Sequence, residues 1–219
     1  DYLGDLETPI NDATRVAFIL KNAYGFRVKL LKNARRSDIV SSLAEFRKTT
    51  SWDDNFLLYY AGHGYRDKAA DEGYWLPVDA KDEDPSNWIQ NDTIVAQLRG
   101  MQAKHVMVVA DSCFSGKIFR DSKLVQRTPD WLSRVVNKKA RTVLTSGGDE
   151  PVMDSGGGTH SVFAKAFISQ LEENTGVLDA TQLFIQLRPK VIVNSPQTPE
   201  YGSIYYAGHD GGDFLFVRR

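Results

Sequence analysis

The chain has 219 residues, 42% apolar and 25% charged, with 27 basic against 28 acidic side chains and a formal net charge of −1. That length suits one α/β domain with a substantial core, and the even charge gives no bulk attraction to nucleic acid or to an anionic membrane. No apolar run nears the roughly 20 residues of a membrane helix, the acidic start DYLGDLETPINDATR lacks signal-peptide character, and the one cysteine, Cys113, excludes an intramolecular disulfide and a multi-cysteine zinc site.

In chain order, Asn11 or Asp12 can cap a helix running to about Asn22, with Val16, Ile19 and Leu20 on one face. Phe26–Leu31 (FRVKLL) reads as a strand, and Asp38 opens a helix in which Ile39, Leu43 and Phe46 are apolar. Phe56–Tyr60 (FLLYY), His105–Ala110 (HVMVVA) and Arg141–Ser146 (RTVLTS) are the continuous apolar runs of a parallel sheet covered on both sides. Asp92 precedes a helix carrying Ile94, Val95 and Leu98, which Gly100 stops. Ser161–Leu171 and Asp179–Leu187 read as helices and Phe214–Val217 as a last strand. Arg66–Asn91, Lys117–Lys139 and Gly147–Thr159 read as loops, the second of them basic. Alternating strands and helices predict an α/β fold, a mostly parallel central sheet flanked by helices on both faces.

Two near-identical stretches, "YYAGHG" (Tyr59–Gly64) and "YYAGHD" (Tyr205–Asp210), hold two of the four histidines. In an open parallel sheet, reactive groups collect at the carboxyl edge of the strands. FLLYY runs into Ala61-Gly62-His63-Gly64 and HVMVVA runs into Asp111-Ser112-Cys113, so neighbouring strands would deliver His63 and Cys113 to one edge. An imidazole beside a thiol can take its proton and leave a nucleophilic thiolate. Gly62, Gly64 and Gly116 allow tight turns that bring amide hydrogens near a substrate carbonyl. His209 reads as part of a turn before an edge strand, His105 as the start of a buried strand, and His160 as the start of a helix; all three are expected to be structural.

"YYAGHG" followed by "DSCFSG" resembles the catalytic pair of caspase-like cysteine proteases, in particular bacterial relatives of metacaspases. His63 precedes Cys113 by 50 positions (113 − 63), the interval of about 50 typical of caspases. "GYWLPVDA", "TSGGDEPV" and "HSVFAKAF" extend the likeness along nearly the whole chain, implying a single caspase-like peptidase domain over 1–219. By the same resemblance, the family's usual first strand, before the loop leading to "NDA", is expected to be missing from the N-terminus of this sequence.

The resemblance implies Cys113 as nucleophile, His63 as general base and acid, and the amides of Gly64 and Cys113 as the oxyanion hole. Asp111 stands where true caspases carry glutamine, and the aspartate of "NDA", Asp12, lines the same pocket in metacaspases. Two carboxylates in a partly desolvated pocket favour a basic P1 residue, so cleavage after Arg or Lys is expected. No cofactor is expected; calcium, which many metacaspases bind in a dense acidic loop after the catalytic histidine, is the alternative and is not favoured, because the acids after His63 here (Asp67, Asp71, Glu72, Asp79, Asp82, Glu83 and Asp84) are more sparsely spaced. Expected partners are protein substrates and a sensor domain outside this chain, in a cytoplasmic setting, with no nucleic acid or membrane. Family resemblance also suggests a role in bacterial cell death or defence, with self-cleavage in Lys117–Lys139. A catalytically silent scaffold is the alternative. A phosphatase loop fits poorly, since six residues separate Cys113 from Arg120 where five are needed and Ile118-Phe119 would not cradle phosphate.

Overall fold

A computed structural model describes residues 3–112, 119–121, 131–147 and 158–219. The first half contains α1 (Pro9–Tyr24), α2 (Arg36–Thr49), β1 (Asn55–Ala61), β2 (His63–Asp67), β3 (Glu72–Leu76), β4 (Ile89–Gln90) and α3 (Asn91–Arg99). It continues with β5 (His105–Asp111), β6 (Phe119–Asp121), α4 (Trp131–Val136), β7 (Ala140–Thr145) and α5 (Val162–Glu173). The last elements are β8 (Val177–Asp179), α6 (Ala180–Ile192), β9 (Glu200–Ile204) and β10 (Leu215–Val217).

A five-stranded sheet in the order β1-β5-β7-β9-β6 forms the centre. β1, β5 and β7 run parallel, and β9 lies antiparallel to both β7 and β6. All seven residues of β5 are buried, which is why its sequence shows no polar alternation. Its side chains still divide by the pleat. Met107 and Val109 join Val16, Ile19, Phe163, Phe167 and Leu183 from α1, α5 and α6. Val106, Val108 and Ala110 join Ile39, Leu43, Ile94 and Leu98 from α2 and α3. Each fully buried aliphatic or aromatic side chain contributes about 1.5–3 kcal/mol, so these two layers fix where β1 and β5 end.

Several elements differ from expectation. Phe26–Leu31 joins no ladder among the described residues, and Val28, Leu30 and Leu31 are exposed. Its side chains suit a strand, but a strand also needs a neighbour. Among the described residues β1 pairs only with β5, and between its other edge and the 26–31 segment lies a cleft of about 790 Å³. The expected loop at Arg66–Asn91 instead contains most of a three-stranded sheet, β2-β3-β4. Tyr65 and Tyr74 face each other across that sheet, and Trp88 packs on both. Lys117–Lys139 contains β6 and α4, while its residues 117–118 and 122–130 lie outside the described residues. β10 pairs with β8 in a separate ribbon instead of joining the central sheet. α1 begins at Pro9, with Thr8 at the cap position, so Asp12 sits inside the first turn instead of capping it. Pro suits that start because its missing N–H would have had no helical partner.

Candidate active site

The register of β1 against β5 sets the geometry. Ala61 lies opposite Asp111, and the Gly62 amide donates to the Asp111 carbonyl across 3.2 Å. His63 therefore stands two residues past the last pair on one strand, and Cys113 follows two residues past it in the sequence of the other. Cys113 itself, with Gly116, lies outside the described residues.

His63 is half-buried, and its Nε2 lies 2.7 Å from the Gly4 carbonyl oxygen. A carbonyl only accepts, so Nε2 carries the proton and Nδ1 is left as the basic nitrogen. The main chain of His63 is also held. The Tyr60 hydroxyl donates to its carbonyl at 2.6 Å, and the Tyr60 ring stacks on Trp75 with centroids 4.2 Å apart. Gly62 makes the turn room: a Cβ there would come within 3.0 Å of the Tyr60 hydroxyl. Gly64 continues into β2, opposite Trp75.

Asp12 and Asp111 are both buried, and Ser161 links them. The Ser161 amide donates to Asp12 Oδ2 at 3.3 Å, and its hydroxyl donates to Asp111 Oδ2 at 2.5 Å. The same hydroxyl accepts from the Ala164 amide at 2.9 Å, capping α5. His160 Nδ1 lies 2.6 Å from Asp12 Oδ1. Burial pushes the Asp12 carboxyl above the usual carboxylate range, against the opposing pull of the His160 and Ser161 hydrogen bonds. Beneath the pair, the Tyr59 hydroxyl is buried with no hydrogen-bond partner among the described residues. Burial, then the Asp111 and Asp12 charges, raise it well above the normal phenol range. Buried acids held by hydrogen-bond donors form a site suited to a cation.

A family model for the caspase domain matches residues 1–206. The chain belongs to the caspase-domain family. Its fold resembles that of protein GSU0716 from Geobacter sulfurreducens, with a TM-score of 0.63 and 18% identity, covering 94% of this chain and 89% of that one. It also resembles caspase-1 from Spodoptera frugiperda, with a TM-score of 0.62 and 17% identity over 92% of this chain and 80% of that one. Among curated proteins no match is found.

In this caspase domain two of the remaining histidines, His105 and His209, lie away from the site. His105 is buried at the start of β5, the opposite end from His63, and burial lowers its pKa. His209 Nδ1 accepts from the Arg141 amide, and burial lowers its pKa too. His160, expected to be structural at a helix start, lies just before α5 and contacts Asp12. Gly4, Ser161 and His160 carried no sequence signal for this arrangement, because each contact spans at least fifty positions. Among the described residues no three His, Cys, Asp or Glu side chains gather to hold a metal, and no helix is long and apolar enough to cross a membrane.

Proposed function

We propose that this caspase domain is a cysteine endopeptidase of the metacaspase type, cutting after Arg or Lys. The observation that carries the reading is the parallel β1–β5 register, which ends both site-bearing strands level with each other.

His63 Nδ1 takes the Cys113 thiol proton, and the thiolate attacks the scissile carbonyl carbon. The Gly64 and Cys113 amides hold the oxygen as its charge develops. As the C–N bond breaks, the imidazolium returns the proton to the leaving amine, and a thioester remains. A water then gives a proton to His63 and its oxygen to the carbonyl; collapse releases the acid, and the thiolate regains its proton. The Gly4 carbonyl holds the ring in the required tautomer throughout and stabilises the imidazolium that forms. Asp12 and Asp111, joined through Ser161, receive the P1 cation.

The test is a pair of fluorogenic peptides ending in Arg and in Asp, assayed with wild type and Cys113→Ala. Turnover of the Arg peptide alone, lost in the variant, is expected. No turnover of either with a demonstrably free thiol would overturn the reading and favour a silent scaffold. Intact masses of the same two proteins test self-cleavage within Lys117–Lys139, where a lower mass is expected only for wild type.

A further inference from the structure

The Asp12–Asp111 pair is not an empty cation site. His160 closes over Asp12: its ring is 24% exposed, whereas the Asp12 side chain is 1% exposed. A substrate cation approaching Asp12 from solvent therefore meets an imidazole already in contact with that carboxylate.

We infer that His160 is a specificity-determining residue whose proton competes with the substrate: its imidazolium occupies the Asp12 carboxylate that a P1 guanidinium or ammonium would use. This rests on the proposed basic P1 preference. When the ring is neutral it donates one hydrogen bond and leaves the anion uncompensated, so an incoming cation gains the full charge pairing. When the ring is protonated the cation must displace it or sit beside a like charge.

Among the described residues, the neighbouring elements supply no other cation to Asp12. The titratable groups about the pocket are Asp12 on α1, Asp111 on β5 and Tyr59 on β1. Asp5 and Glu7 precede α1. Arg15, farther along α1, pairs with Glu172 of α5, and Lys165 on α5 is exposed. Ser161 adds an amide and a hydroxyl but no charge. Among the described residues, His160 is thus the titratable cation in contact with the Asp12 carboxylate.

Binding is measured on the full chain carrying Cys113→Ala, which removes turnover, with fluorescent peptides ending in Arg or in its neutral near-isostere norleucine. Arg-peptide affinity is expected to fall about tenfold between pH 8 and pH 5.5, the coupling of one charge pair worth about 1.4 kcal/mol. His160→Asn, whose amide can reproduce the Nδ1–H bond without titrating, should flatten that profile while leaving the norleucine peptide unaffected. By reciprocity, saturating Arg peptide should lower the pH at which the His160 ring titrates by NMR in the His-containing protein, a readout independent of how the variant folds. An unchanged His160 titration, or an Arg profile equally steep in His160→Asn, overturns the inference. Equal affinity for Arg and norleucine peptides at every pH overturns instead the basic P1 reading beneath it.

Discussion

Replacing Asp12 by Asn should move activity and stability in opposite directions. Asn keeps the size and one carbonyl oxygen, so the Ser161 amide retains an acceptor, and neutral His160 can switch tautomer to accept from the new amide. What disappears is the charge. A hydrogen bond to a charged group is worth about 1.5–3 kcal/mol against about 0.5–1.5 for a neutral one. Two such bonds to a P1 guanidinium therefore lose about 2–3 kcal/mol, a fall in kcat/KM of about 30- to 150-fold.

Stability responds to the other half of the same physics. Burial raises the Asp12 pKa in the folded state, so the group favours folding fully below the unfolded value near 3.8 and loses that contribution as pH rises through the folded value. At pH 8 the ionised carboxylate is a burden that Asn lacks. The Tm of Asp12→Asn should equal or exceed that of wild type at pH 8, with the advantage vanishing towards pH 3.5. The assay pairs Arg-peptide kinetics with thermal melts. A Tm lower by several degrees with the Arg-over-Asp preference intact would refute the reasoning and make Asp12 a structural anchor of α1.

Tyr60→Phe removes the donor to the His63 carbonyl, at a cost of about 1–2 kcal/mol; stopped-flow and steady-state assays should show kcat down severalfold with KM little changed. His105 and His209 have depressed pKa values, so the stability they contribute is present above about pH 6.5 and is lost as pH falls through their folded values. Each withdraws at most about 1.4 kcal/mol per pH unit in that window; urea melts between pH 8 and pH 5 should show the decline, and it should shrink in His105→Asn. Arg141 is buried and its guanidinium donates to the carbonyls of Met101, Lys104 and Ala140 at 3.0, 3.0 and 2.7 Å. Lysine cannot reproduce that planar fork, so Arg141→Lys should cost about 2–3 kcal/mol in chemical denaturation with the peptide preference unchanged.

The central strands are legible because burial on both sides leaves an unbroken apolar signature, as in HVMVVA. FRVKLL carries a similar signature without forming a strand, since pairing depends on a neighbour that composition does not encode. The opposite error occurs at β2-β3-β4, whose residues HGYRD, EGYWL and IQ are short and partly polar. Their cohesion comes from Tyr65, Tyr74 and Trp88, which meet only after folding. His63, Asp111 and Asp12 stand out from local motifs. The contact between His160 and Asp12 spans 148 positions and joins the starts of two helices, so no periodicity announces it. The same holds for the Gly4 carbonyl, a main-chain atom that any residue type would supply.

β1 and β5 carry the site unequally. β5 is clasped by a ladder on each flank and by apolar layers above and below, whereas β1 has a ladder on one flank and the cleft on the other. Outward-facing amides of β1 should exchange with deuterium far faster than those of β5, so the imidazole rides the more loosely tethered rail. Small displacements of that rail carry the main chain of His63 with them, and the cleft beside it extends to His63 itself.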